Sequence, residues 1–141
     1  MFELPPHLHP MIIHFPIALF LTALALDILS FVTKKETFHQ SALTLYVIAA
    51  LLTPLVVRTG IWEATKIGLS HPLLDEHRTF ALWTMWTSLM SLPLLWLIKK
   101  EAPKYFRILF LVFLISTAIL VSIGADKGGR MVYEYGVGIE E

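Results

Sequence analysis

Apolar residues fall into four long stretches along the chain, and short polar segments separate them. The stretches cover residues 11–33, 42–62, 79–98 and 105–125. Each has about 20 residues, the length that a helix rising ~1.5 Å per residue needs to cross ~30 Å of hydrocarbon. Because backbone groups in lipid must form hydrogen bonds within their own segment, we expect each stretch to be a helix. The pattern predicts an all-α protein, a four-transmembrane-helix bundle that forms one membrane domain over residues 1–141.

The last segment, residues 126–141, differs from the four stretches. It is polar and rich in glycine, and its part "RMVYEYGVGI" alternates β-branched or aromatic residues with others over a short run. Such alternation is typical of extended backbone. We therefore expect an extended, glycine-rich C-terminal tail on the same side of the membrane as the N-terminus, where it could cover a site or dock a partner.

Composition supports the membrane prediction and narrows the chemistry. Hydrophobic residues make up 56% of the chain and charged residues only 16%, and the formal net charge is zero. No basic stripe points to a nucleic-acid partner. The absence of cysteine excludes disulfides, iron–sulfur clusters held by thiolates and a covalently attached c-type haem in this chain.

The lysines and arginines other than Arg58, which falls late in the second apolar stretch, divide unequally between the two sides of the predicted bundle. One side has four, namely Lys66, Arg78, Lys127 and Arg130, and the other has six, namely Lys34, Lys35, Lys99, Lys100, Lys104 and Arg107. The positive-inside rule makes the second side cytoplasmic. We therefore expect a protein of a bacterial inner membrane, with both termini and five of the six histidines on the outer, periplasmic side.

Two stretches of similar design open the first and third predicted helices. "HPMIIHF" and "HPLLDEHR" each have a His-Pro pair followed by a second histidine, His14 or His77. Proline is favoured in the first turn of a helix, so these two histidines would lie roughly 6–8 Å inside parallel helices at nearly equal depth. The spacing favours two parallel repeats of a helical hairpin, with one bound group held between His14 and His77.

Haem b suits such a position, because a porphyrin is apolar and bundle cores between facing helices hold such cofactors. His14 and His77 are then the predicted axial ligands of its iron. Propionates need donors at the aqueous edge, and we expect Arg58 first, although it could equally pair with Glu63 or Asp126. Further candidates at the same edge are Arg78, Lys127 and Arg130. His9 and His71 could bind propionates, hold a second cofactor, or cap their helices.

Two further polar residues have simpler interpretations. Asp27 falls near the inner face, where Lys34 or Arg107 could neutralise its charge, and we expect a structural role for it. His39 falls in a short polar connection, and we expect it to be exposed to solvent.

Three segments carry a resemblance to a known family. "HPMIIHFPIAL" near the start, "HR" at the third helix and the closing "GGRMVYEYGVGI" resemble the bacterial family catalogued as domain of unknown function 2231. The resemblance covers essentially the whole chain. It implies a small four-helix membrane protein, sometimes fused to c-type cytochrome domains, and its motif points to His9, His14, His77 and the tail 128–138.

These observations predict a membrane electron-transfer protein with haem b, passing electrons between quinol or a membrane partner and an outer-side c-type cytochrome. The sequence contains no recognisable pair of a nucleophile and a base, so it does not predict an enzyme. The same residues could also bind one cofactor that is shared between the two chains of a homodimer. Two alternatives to electron transfer stay open. One alternative is a cofactor-free accessory subunit of a respiratory complex, and the other is a zinc- or copper-binding module built from His7, His9, His14, His71 and His77.

Overall fold

The computed structural model describes residues 8–66 and 68–137, and nearly all of them are helical. Four helices follow one another: α1 (Leu8–Thr33), α2 (Glu36–Lys66), α3 (Pro72–Glu101) and α4 (Pro103–Tyr133). Each is long and apolar enough to cross a membrane, as an integral membrane protein requires. The predicted fold class is confirmed.

The helices extend beyond the apolar stretches because polar residues continue the helical hydrogen bonding past the hydrocarbon. Only Lys34 and Lys35 separate α1 from α2, and Lys34 takes a positive φ of 58° to turn the chain. Ala102 alone separates α3 from α4, and its amide donates to the Ile98 carbonyl at 2.8 Å. The short turns force α1–α2 and α3–α4 into antiparallel hairpins.

The two hairpins pack side by side into a closed bundle. α1 lies against α2 and α4, and α3 lies against α4 and α2, so α1 and α3 occupy opposite corners and run in the same direction. We refer to the end where α1 and α3 begin as the His9 end, and to the end where α2 and α4 begin as the Asp27 end. This arrangement agrees with two parallel hairpin repeats.

The largest apolar core lies towards the Asp27 end. Tyr46 is fully buried at its centre, with Phe20 of α1 and Phe110 of α4 in edge contact at 5.5 and 5.4 Å between ring centroids. Buried alanines, Ala23, Ala42 and Ala49, let the backbones of α1 and α2 approach closely in the same region. Small residues therefore bring the helices together, and the three aromatic rings fill the space between the hairpins.

The prediction of an extended tail from residue 126 is wrong for the part that the structure describes. α4 continues to Tyr133 because its backbone stays hydrogen-bonded after the apolar stretch ends at residue 125. Gly136 then takes a positive φ of 64°, and the amides of Gly136 and Val137 donate back to Val132 and Met131. Residues 138–141 of the predicted tail lie outside the described residues.

His39 and Asp27 also differ from their predicted environments. α2 begins at Glu36, so His39 is in its first turn and faces the bundle, where it is 2% exposed. Its Nδ1 lies 2.6 Å from the Asp27 carboxylate. The partner of the Asp27 carboxylate is thus His39, where the sequence predicts Lys34 or Arg107.

Two phenylalanines of α1, one buried and one exposed, test how much the core contributes to stability. Phe20→Ala should lower the free energy of unfolding by about 3 kcal/mol, because the cavity left beside Tyr46 cannot be refilled. Phe15→Ala removes the same atoms from a ring that is 63% exposed, and should change stability by less than about 0.5 kcal/mol. Unfolding in detergent by denaturant or heat measures both. Equal losses in the two variants would contradict this account of the core.

Candidate functional site

A cavity of about 380 Å³ opens at the His9 end, between the two hairpins. All four helices and the turn after α4 contribute to it. Most of its wall is apolar, and the polar side chains on it belong to His9, Glu63, Thr65, His77 and Arg78. The cavity therefore combines an apolar wall with two imidazoles, on opposite corners of the bundle.

His9 is positioned by α2. Its ring Nδ1 lies 3.0 Å from the Val56 carbonyl, and since a carbonyl only accepts, Nδ1 is the protonated nitrogen. Thr59 Oγ1 lies 3.4 Å from the same nitrogen. The ring rests against Gly60, where a Cβ would come within 2.8 Å of the ring Cε1. Only glycine at position 60 leaves room for this imidazole.

His77 is positioned by α4 in the same manner. Its Nδ1 donates to the Gly124 carbonyl at 2.7 Å, and its ring rests against Gly128, where a Cβ would lie 3.2 Å from the ring. The accepting carbonyl again lies one helical turn before the glycine. Each histidine thus uses one carbonyl and one glycine of the partner helix in its own hairpin.

The two histidine environments are related by a constant shift along the chain. His9 and Val56 are 47 positions apart, as are His77 and Gly124. Adding 68 to the numbers of His9, Val56 and Gly60 gives those of His77, Gly124 and Gly128. We conclude that the hairpins are structural repeats in this register, with the cavity between them.

Fixing Nδ1–H on a carbonyl determines what the other ring nitrogen can do. In the neutral ring Nε2 then carries the lone pair, and among the described residues no partner is recorded for either Nε2. The two ring centroids are 6.2 Å apart, with the planes at 82°. Two preoriented imidazoles with available lone pairs on one cavity are a candidate ligand pair, of the kind that a metal centre uses.

His14, the predicted partner of His77, lies elsewhere. Its side chain is exposed on the outside of α1, its Nδ1 hydrogen-bonds the Pro10 carbonyl of its own helix at 2.8 Å, and it does not line the cavity. The structure therefore does not bring His14 and His77 together on one group. His9 is the imidazole that faces His77, because the repeat register places it there.

His71 has a structural role that the sequence allowed for. It is the N-cap of α3, and its Nδ1 accepts the Leu73 amide at 3.1 Å, the opposite hydrogen-bonding role to that of His9. Its ring also packs on Tyr135, with 4.7 Å between centroids. Capping was one of three possibilities for His71, and it is the one that the structure shows.

The three predicted arginines occupy different places. Arg78 lines the mouth of the cavity with an exposed side chain. Arg130 donates through Nε to both carboxylate oxygens of Glu134 at 3.1 Å. Arg58 is exposed on α2 and does not line the cavity, and no ion pair with Glu63 or Asp126 is recorded for it within residues 8–66 and 68–137. Arg78 is thus the cation best placed to meet a ligand.

The mouth of the cavity is held by the ends of α3 and α4. Lys127 forms an ion pair with Glu76 across these two helices. Met131, Val132 and Val137 of α4 and its closing turn add apolar wall.

His7, which the zinc or copper alternative includes, lies outside the described residues. Within those residues, no group of three or more histidines and carboxylates could hold a metal ion.

Together these features define an integral membrane protein of four helices, with a cavity between two repeated hairpins and one histidine from each repeat. The sequence matches the family described as predicted membrane protein DUF2231 over residues 5–141, and the chain belongs to that family. No curated protein and no solved structure shows a significant match to the chain. The predicted family membership is confirmed.

The glycine beside His9 gives a prediction that does not depend on any ligand. Alanine is favoured over glycine inside a helix by about 0.8–1.0 kcal/mol, so Gly129→Ala, with open space around the new methyl group, should leave the protein as stable or more stable. Gly60→Ala must push the His9 ring away and break its bond to Val56, and should lower stability by about 1–2 kcal/mol.

Thermal unfolding in detergent compares the two glycine variants with the parent protein. Histidine ring NMR should also show a changed His9 signal in Gly60→Ala and an unchanged one in Gly129→Ala. A Gly60→Ala variant as stable as Gly129→Ala, with its His9 signal in place, would show that the glycine does not position the ring.

Proposed function

We propose that the cavity binds haem b, with His9 and His77 as the two axial ligands, and that the protein carries electrons within the membrane. The observation that supports this most is the pair of imidazoles, each with Nδ1–H held by a helix carbonyl and with 6.2 Å between ring centroids. The proposal keeps the cofactor predicted from the sequence and replaces His14 by His9.

The number of imidazoles agrees with haem. Two imidazoles line the cavity, with 6.2 Å between their ring centroids. Haem iron can take two protein ligands of this kind, whereas a structural zinc site requires four ligands.

The rest of the cavity agrees with an apolar macrocycle that carries two carboxylates. Its volume of about 380 Å³ is within the range of roughly 300–1,000 Å³ that cofactor and ligand sites have. Val57, Ile61 and Ala81 provide apolar wall, and Arg78 lies at the mouth, where a propionate would need a cation. His9, His77 and Arg78 are the residues that would hold the group.

Bound haem would supply a one-electron redox centre whose potential depends on its axial ligands and on the surrounding polarity. The chain's own residues hold the imidazoles in place through Val56 and Gly124 and cover the site with apolar side chains. With both ligands from the protein, the site favours electron transfer over oxygen chemistry. The cavity lies at one end of the bundle, where an aqueous partner such as a c-type cytochrome could approach, and quinol could deliver electrons from the bilayer.

The location of the site relative to the cell follows from the distribution of basic residues. Not counting Arg58 within α2, the Asp27 end has six lysines and arginines and the His9 end four, so we propose that the cavity faces the outside of a bacterial inner membrane. That orientation is the one that an outer-side cytochrome requires.

Haem content and ligand variants test the proposal directly. Protein purified in detergent from cells supplied with haem precursor should contain close to one haem b per chain, with sharp low-spin bands in its reduced spectrum. His9→Ala and His77→Ala should each lose most of the haem, because one remaining axial ligand holds it weakly. His14→Ala, the matched exposed control on α1, should keep its haem and its spectrum.

Three outcomes would contradict the assignment. Parent protein without haem would exclude the cofactor, and equilibrium metal analysis of the same sample would then test the zinc or copper alternative. Loss of haem in His14→Ala with retention in His9→Ala would restore the sequence-based ligand. Folded, fully loaded protein after replacement of both His9 and His77 would exclude the cavity.

A further inference from the structure

We infer that Asp27 and His39 form a second site, a proton-binding site at the opposite end of the bundle from the cavity. This inference is independent of haem, because it uses none of the residues that line the cavity. It concerns the binding and release of one proton by a carboxylate–imidazole pair inside the membrane-spanning part of the chain.

The pair is buried to a degree that is unusual for ionisable groups. Asp27 is fully buried, the His39 side chain is 3% exposed, and the Nδ1–Oδ1 distance is 2.6 Å. Phe106 and Phe110 of α4 contact the imidazole edge-on, at 5.9 and 5.6 Å between centroids. Intramembrane ionisable residues are costly, and they commonly mark ion or proton sites.

A closed structural pair would satisfy all of its polar atoms, and this one does not. Within the described residues, Asp27 Oδ2 is buried without a hydrogen-bond partner, and so is Nε of Arg107. Ser30 joins the two neighbourhoods: its hydroxyl donates to the Asp27 backbone carbonyl and accepts from Arg107 Nη2, both at 2.6 Å. The unpaired carboxylate oxygen is a position that can take up a proton, whereas the unpaired guanidinium N–H can only donate a hydrogen bond.

Arg107 connects the neighbourhood of the pair to the surface of the bundle. The Arg107 side chain is 36% exposed and forms an ion pair with Glu36, which is 60% exposed, at the edge of the bundle. The guanidinium also lies over the Phe31 ring, 4.8 Å from its centroid. We expect protons to reach Asp27 along this side, because Ser30 and Arg107 connect its backbone to the edge of the bundle.

The other titratable groups near the pair have contacts of their own. Tyr46 on α2 bonds Ser91 on α3 at 2.9 Å, and Lys99 on α3 lies over the Phe106 ring, so neither is recorded as bonded to the carboxylate. Arg107 and Glu36 neutralise each other.

The proton balance of the pair is simple. In the deprotonated state Asp27 is ionised, His39 is neutral, and its Nδ1–H donates to Oδ1. Uptake of one proton from water, at Oδ2 or on the imidazole, makes the pair neutral overall, and release reverses the step.

Two spectroscopies measure this proton in the haem-free or haem-loaded protein alike. Nitrogen NMR of ¹⁵N-histidine-labelled protein follows the charge of His39, and infrared difference spectroscopy follows the carboxylic acid band of Asp27, between about pH 5 and pH 9. We expect one titration step, seen either as imidazolium or as protonated carboxyl. His39→Gln should remove the assigned histidine signal, whereas His14→Gln, an exposed control, should leave it unchanged.

Asp27→Asn provides the decisive comparison. Without the carboxylate, the infrared band disappears, and any imidazolium step of His39 differs from that of the parent protein because its opposite charge is gone. The inference is overturned when the parent protein shows neither change across this range, because a pair with one fixed protonation state is a structural link. It is also overturned when the His39 step is the same in Asp27→Asn as in the parent protein. The parent titration alone decides the question should both variants fail to fold.

Discussion

Lipid around the bundle offers no hydrogen bonds, so the polar side chains on the bundle axis depend on partners within the protein. The histidines meet this constraint by bonding backbone carbonyls of a neighbouring helix, Val56 for His9 and Gly124 for His77. A carbonyl inside a helix is normally screened by the side chain one turn later. Glycine at positions 60 and 128 removes that screen and leaves space for a ring. The cavity, its width and the direction of both imidazoles depend on this arrangement.

The two repeats have kept this arrangement at one end and differ at the other. The shift of 68 that relates His9 to His77 carries Asp27 to Leu95 and His39 to Arg107. One hairpin therefore supplies a carboxylate and an imidazole, and the other supplies an apolar side chain and a guanidinium. A symmetric end suits one group shared between two equivalent ligands. The asymmetric end places the carboxylate and the imidazole in one hairpin, with Arg107 of the other hairpin bonded to Ser30 beside them, which suits a small charge carrier such as a proton.

The four helices could be predicted from hydrophobic runs alone, because crossing hydrocarbon requires them. Their ends could not, since polar residues such as those of 36–41 and 126–133 continue a helix without leaving a hydropathy signal. The prediction of His39 as an exposed residue follows from the missed start of α2. The structure places His9 instead of His14 opposite His77 for another reason: aligning the two His-Pro pairs sets His9 against His71, yet Pro10 lies inside α1 whereas His71 caps α3. The glycines were the missing signal, because Gly60 and Gly128 share the spacing of His9 and His77. The cavity itself depends on packing that no single stretch encodes.

The distance between the two sites limits how they can influence each other. Asp27 follows His9 by 18 positions on one helix, which is about 27 Å at a rise of 1.5 Å per residue. Two unit charges at that distance interact by about 0.6 kcal/mol at an effective dielectric constant of 20, less than a tenfold change in any equilibrium. A proton on the Asp27–His39 pair therefore has only a modest electrostatic effect on a charge in the cavity. Stronger coupling would have to pass through the side chains between them, and the buried Tyr46–Ser91 hydrogen bond is a contact there that links the two hairpins.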